Sequence, residues 1–294
     1  MASDKSWRGR FAAFAAMGLL AGIGVLGCQK NNTPNPQADA DKDAAPATSE
    51  STSGTNPVID PFHSLRQTFA EATRTDPYAD WEPVDKTMAG KPIGPLYEKV
   101  KQSWDNVKLV TNDGKKLSYV ATLDTDQGAI EIELRPELAP NHVRSFVALI
   151  QAGYYDGLVF ERTVTEQAEH GAVHLIEGGA PDGGIKSNTD GVGYWLKPEI
   201  NPAATHEEGT VGAPHGIEED TAACRFYIMV SKAPDLDGHW TVFGKVTKGM
   251  DVARTIFRQP TKEDVASPGV PYPLKPVVIR KATVRSQELE LASK

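Results

Sequence analysis

Cysteine is nearly absent from this chain: its 294 residues include two, Cys28 and Cys224. A fold stapled by several disulfides is therefore excluded. Positive charge is also short, with 31 Lys and Arg against 39 Asp and Glu and a net charge of -8, which argues against nucleic acid as a partner. The sequence contains no internal repeat and no G-x-S-x-G elbow to support hydrolase chemistry. Its uninterrupted apolar run, "FAAFAAMGLLAGIGVLG" at residues 11–27, is shorter than a comfortable membrane span. From Gln29 to Pro57 there is no Val, Ile, Leu, Met or aromatic residue, so this stretch cannot bury enough apolar surface to fold alone.

What is present around those segments gives them a meaning. Lys5, Arg8 and Arg10 precede the apolar run, the arrangement of an export signal, while "RGR" lacks the adjacent pair of twin-arginine export. The run ends in "VLGC", Val25 to Cys28, which resembles the bacterial lipobox. That resemblance implies cleavage before Cys28 and acylation of its sulfur; the plainer alternative is an ordinary signal peptide with an incidental cysteine. With Cys28 committed to lipid, no intramolecular disulfide can form, and loss of residues 1–27 leaves 28 basic against 38 acidic residues. Residues 29–57 then read as a flexible tether with an r.m.s. span of roughly 30 Å, enough to clear the lipid headgroups. The expected organisation is a signal peptide at 1–27, a lipidated disordered tether at 28–57, a helical N-terminal extension at 58–116, a main domain at 117–285 and a C-terminal tail at 286–294.

Periodicity divides the folded part. In "DPFHSLRQTFAEATR", Phe62, Leu65, Phe69 and Ala72 recur at spacings of three and four, which predicts a short amphipathic helix. Leu96, Val100, Trp104 and Val107 repeat the pattern. Neither helix carries recognisable chemistry, so both are expected to pack on the main domain or to present a docking face. After the turn signal "NDGKK" the period becomes two: "LSYVATLDT" and "AIEIELRP" alternate around a hairpin at "DQG", with Ile130, Ile132 and Leu134 on one face. Residues 139–153 predict a helix with Pro140 in its first turn and Gly153 as its stop. Strands are expected at 158–164, 173–176, 210–213, 226–230 and 241–246, then a helix at 249–260 and a last strand in 275–284. Many short antiparallel strands with two helices predict a mainly β fold, a closed barrel capped at its ends.

One strand carries a puzzle. In "YYDGLVFERTV", strict alternation puts Arg162 on the same face as Leu158, Phe160 and Val164, and a guanidinium among apolar side chains is costly unless something pairs with it.

The order of these pieces and the residues at their joints resemble the cyclophilin family of peptidyl-prolyl cis/trans isomerases. The blocks that carry the resemblance are "GAIEIELRPELAPNHVRSFVALIQAGYYDGLVFERTV", "LIEGGAPDGG", "GTVGAPHG", "RFYIMVSKAPDLDGHWTVFGKV" and "GMDVARTI", in order from Leu117 to Val284. The resemblance implies a closed eight-stranded antiparallel barrel with a helix over each open end, an active site on its outer face, and neither metal nor cofactor. It implies proline-containing polypeptides as substrates, Arg162 as the catalytic residue, and Phe160, Leu175, Glu177, Tyr227, Leu236 and Trp240 as substrate-binding residues.

The chain also departs from the family pattern. Against "F-H-R" it has Glu161; against "F-M-x-Q-G-G", His174 and Glu177; against "S-Q-F-F", Arg225 and Tyr227. Asp235 stands where tryptophan is frequent, and Trp240 where the pocket has a histidine. A carboxylate at 177 is expected to accept a bidentate ion pair from Arg162. It would thereby occupy the catalytic donors, so that Glu177→Gln raises kcat/KM by up to about tenfold.

Two rival functions follow from the same residues. One is a cyclophilin-like module that binds proline segments or an envelope partner with little turnover. The other is a metal site at His170, His174 and Glu177, whose spacings would share a helical face; "AVHLIEGG" reads as a strand, which sends His174 and Glu177 to opposite faces. His63, His142 and His206 are expected at the surface or in caps, His215 and His239 at a groove rim, and Glu218 to Asp220 in a solvated loop. The whole describes a monomeric, lipid-anchored, extracytoplasmic folding helper of the cell envelope. Gln29 lacks the aspartate associated with inner-membrane retention, which by resemblance favours the periplasmic face of the outer membrane.

Overall fold

The computed structural model describes residues 67–288 except 76–82, 112–114, 185–190, 217 and 265–266. The export signal, Cys28, the tether, His63 and the first half of the first expected helix lie outside the described residues.

The N-terminal extension supplies α1 (Phe69–Ala72), β1 (Thr73–Arg74) and α2 (Ile93–Ser103). A capping box starts α1: the Thr68 hydroxyl accepts the Glu71 backbone N–H, and the Glu71 carboxylate accepts that of Thr68. The helix stops at Ala72, short of the expected Arg74, because Thr73 and Arg74 pair with a strand of the main domain. That domain contains β2 (Leu117–Thr125), β3 (Gly128–Leu134), α3 (Pro140–Gln151), β4 (Val159–Ala168), β5 (Gly171–Gly178), β6 (Trp195–Leu196) and β7 (Thr210–Ala213). It continues through β8 (Phe226–Met229), β9 (Thr241–Lys248), α4 (Met250–Phe257), β10 (Thr261–Asp264), β11 (Ser267–Pro273) and β12 (Val277–Glu288).

Eight of these strands pair antiparallel in the order β12-β2-β3-β9-β7-β8-β5-β4. The ring closes where Val277 and Val278 of β12 pair with Phe160 and Val159 of β4. Closure leaves this sheet no free edge. Because Glu288 pairs with Leu117, the domain runs past the boundary expected at 285. Alternate residues fill the interior: Ile130, Ile132 and Leu134 from β3, Ile176 from β5, Phe226 and Ile228 from β8. From α3, Phe146 packs on Tyr155, Phe226 and Phe243 at ring distances of 5.1, 5.6 and 5.2 Å.

The extension shares this core and is not a separate docking module. Phe69, Leu96, Val100 and Trp104 are buried with the barrel residues, and Phe69 meets Trp104 and Tyr194 edge-on at 5.4 and 5.1 Å. Trp104 Nε1 donates to the Gln67 carbonyl at 3.1 Å, and Arg144 of α3 donates to the same oxygen at 3.0 Å. Trp104→Ala is therefore expected to destabilise the whole domain by about 3–5 kcal/mol, visible as a lowered urea midpoint in one cooperative transition. A separate early transition confined to the extension would show that it folds on its own.

Candidate active site

β4 and β5 lie side by side, and their register shifts between Phe160, which faces Gly178, and Arg162, which faces Glu177. The extra residue, Glu161, makes a β-bulge. It breaks strict alternation, so the expected common face of Leu158, Phe160, Arg162 and Val164 does not form. Leu158 and Phe160 are fully buried inside the barrel, where Phe160 meets Phe226 edge-on at 5.7 Å. Phe160 is a core residue and not part of a substrate-binding surface. Arg162 instead pairs with Glu177, whose side chain lies on the outer face with that of Tyr227.

A second apolar cluster covers that outer face. It contains Val164, Val173, Leu175, Tyr227, Met229, Ala233 and Leu236, with Trp240 packed against it. Four of the expected substrate-binding residues, Leu175, Tyr227, Leu236 and Trp240, are thus brought together. The two-residue period and the cross-strand register explain the strand members: Glu177 pairs with Tyr227, and Leu175 with Met229. Leu236 arrives on a short 3-10 turn, Pro234–Leu236, and Trp240 immediately precedes β9. Met229, Val173 and Ala233 were missed; Met229 was discoverable, two residues after Tyr227 on the same strand.

Four charged side chains border the cluster. Arg162 Nη1 lies 3.0 Å from Glu177 Oε2, and Arg225 Nη2 donates to that same oxygen. Arg225 Nε also donates to Glu161 Oε1 at 3.2 Å, which accepts the Ala180 backbone N–H at 3.3 Å. The side chains of Arg162, Glu177, Arg225 and Glu161 are 13%, 9%, 10% and 0% exposed. Formal charges balance two against two, as such burial demands. The bidentate fork expected between Arg162 and Glu177 does not form. Arg225, standing where the family pattern has glutamine, brings a second cation, and one carboxylate oxygen serves both. Arg162 Nε is buried without a hydrogen-bond partner among the described residues.

The histidines divide between core and rim. His215 stacks on Trp240 at a ring distance of 4.1 Å. His142 lies at the start of α3, where Glu199 faces its Nδ1 at 2.8 Å and accepts its backbone N–H at 2.9 Å. His206, expected at the surface or in a cap, is buried, because Asp237 and Tyr227 satisfy both ring nitrogens. The three residues of the metal alternative have separate partners: His170 contacts Asp235, His174 lies 5.3 Å from the Phe257 ring, and Glu177 joins the arginines.

Fold and site together define a class: a closed antiparallel barrel that carries an apolar cluster on its outer wall beside two guanidiniums held by a shared carboxylate. The model of the family described as cyclophilin type peptidyl-prolyl cis-trans isomerase/CLD matches residues 120–284, and the chain belongs to that family. Peptidyl-prolyl cis-trans isomerase B of Bacillus subtilis is 38% identical over 146 residues, 49% of this chain and 94% of that protein. A peptidyl-prolyl cis-trans isomerase of Helicobacter pylori is 37% identical over 134 residues, 45% of this chain and 74% of that protein. The chain is a cyclophilin-family peptidyl-prolyl cis-trans isomerase.

Proposed function

We propose that Arg162 is the catalytic residue and that Leu175, Tyr227, Leu236 and Trp240 receive the proline of the substrate. Delocalisation of the nitrogen lone pair gives the peptide bond a rotation barrier of roughly 18–20 kcal/mol. A guanidinium N–H aimed at the proline nitrogen gains strength when the bond is twisted and that nitrogen becomes pyramidal. The interaction therefore stabilises the transition state selectively. A permanently charged fork can hold the substrate carbonyl as well. The carrying observation is the placement of Arg162, held by Glu177, at the border of an apolar cluster containing all four pocket residues. Exchange NMR on an Ala-Ala-Pro-Phe peptide tests it: the full chain should accelerate cis/trans interconversion. Binding without acceleration would make the chain a proline-binding module.

The clients are exported proteins, and the chain works as a monomeric, lipid-anchored folding helper on the periplasmic face of the outer membrane. This part rests on the basic and apolar start, on "VLGC" and on the unfoldable segment after it. One acyl chain anchors only marginally, so Cys28 carries more than one. Cys28→Ser is expected to move the protein from the membrane pellet to the soluble fraction; an unchanged pellet would rule the anchor out.

A further inference from the structure

Beneath the outer cluster lies a hydrogen-bonded chain that does not include Arg162. His206, in the segment between β6 and β7, has Nδ1 2.8 Å from Asp237 Oδ1 and Nε2 2.8 Å from Tyr227 Oη. Its ring lies nearly parallel to that of Tyr227, with centroids 6.0 Å apart. Asp237 Oδ1 also accepts the His206 backbone N–H at 2.7 Å. The tautomer follows from these partners. An ionised carboxylate only accepts, so Nδ1 donates, and the Nε2 of a neutral imidazole is left to accept the Tyr227 O–H. The ring of Tyr227 reaches this position because its partner on β7 is Gly212, where a Cβ would overlap the tyrosine hydroxyl. Three separate parts of the chain therefore converge on the ring that floors the apolar cluster.

We propose that His206 is a positioning residue for the proline pocket: as a neutral imidazole oriented by Asp237, it accepts the Tyr227 hydroxyl's hydrogen bond and fixes that ring over Gly212. The proposal rests on the isomerase site described above and adds to it a proton-linked control of binding. The titratable groups facing the pair are Asp237, His239 and, on the Tyr227 side, Glu177. Burial, which outweighs the attraction of Asp237, lowers the pKa of His206 below its ordinary 6.5. Burial, with Glu177 and Asp237 adding to it, raises the Tyr227 phenol well above its ordinary range. Tyr227 thus stays a neutral donor, and His206 is the member of the bonded pair that titrates. As pH falls through the folded-state value of His206, Nε2 takes a proton and stops accepting. The hydroxyl loses its acceptor, so binding is at full strength in neutral solution and weakens on the acid side of 6.5.

The test follows kcat, KM and the peptide Kd for Ala-Ala-Pro-Phe from acid to neutral pH, using the full chain as wild type, Tyr227→Phe and His206→Gln. Tyr227→Phe should weaken binding about fivefold at neutral pH, in KM more than in kcat, and should abolish the acid limb. In His206→Gln the amide oxygen can still accept from Tyr227 and the amide nitrogen can donate to Asp237. This variant should keep most of the binding, yet lack the limb, because glutamine does not titrate. An acid limb unchanged in both variants overturns the proposal, as does 15N NMR placing the neutral-pH proton of His206 on Nε2. If the wild type binds the peptide without turning it over, the catalytic assignment of Arg162 fails instead, and the Kd profile decides the role of His206.

Discussion

Arg162→Ala is expected to lower kcat/KM by about 100- to 1000-fold while leaving the barrel folded. The first half follows from the proposed mechanism, in which the guanidinium is the donor whose hydrogen bond strengthens as the peptide twists. The second half follows from the ion network. Removing one member of a buried pair ordinarily strands the other, but Glu177 Oε2 would still accept from Arg225 Nη2. Arg225 in turn remains tied to Glu161. Arg162→Lys should fail almost as badly, because an ammonium is a point donor and cannot engage carbonyl and nitrogen with one planar group. Near wild-type exchange rates in the alanine variant, beside an unchanged melt, would remove Arg162 from the mechanism.

Glu177→Gln is expected to be slower and less stable than wild type, the reverse of what the isolated sequence position predicts. Taken alone, a carboxylate beside the arginine looks like a competitor for its donors. The structure shows it as the counter-charge between two guanidiniums, both almost buried. A neutral amide would leave Arg162 and Arg225 facing each other with only Glu161 to balance them. The expected penalty is about 3 kcal/mol of stability, with kcat/KM reduced about tenfold as Arg162 loses its fixed orientation. The double variant Glu177→Gln with Arg225→Gln removes the repulsion and should recover much of both losses. A single variant faster than wild type would show that Glu177 does restrain catalysis. Thermal melts and exchange NMR on the same three proteins decide between these outcomes.

Much of the architecture was legible in the sequence because it rests on local rules. The period-two run "LSYVATLDT" became a strand with unchanged limits, and Pro140 opened α3 as its fixed φ and missing N–H allow. The outer-face residues Leu175, Glu177 and Tyr227 were equally legible, since no bulge intervenes between them and their cross-strand partners. Arg162 could be singled out, with Glu177 as its partner, but the face it shares on β4 could not. A single extra residue, Glu161, turns Phe160 inward and Arg162 outward, and bulges depend on pairing with a strand that sequence patterning does not see.

The partnerships of buried charges and polar groups were decided by tertiary structure alone. The ion pair of Arg162 with Glu177 was expected, but nothing local announces that Glu161 and Arg225, 64 positions apart in the chain, join it in one network. Likewise His206, expected at the surface or in a cap, is buried by the turn carrying Asp237 and the ring of Tyr227. The sequence by itself determined most strands of the barrel, its two helices, the family and the singling out of Arg162, because propensity, period and motif are written in consecutive residues. Which charges share one network, and which face of β4 carries Arg162, depend on long-range pairing, where Coulomb attraction and desolvation act on distances in space that the order of residues does not contain.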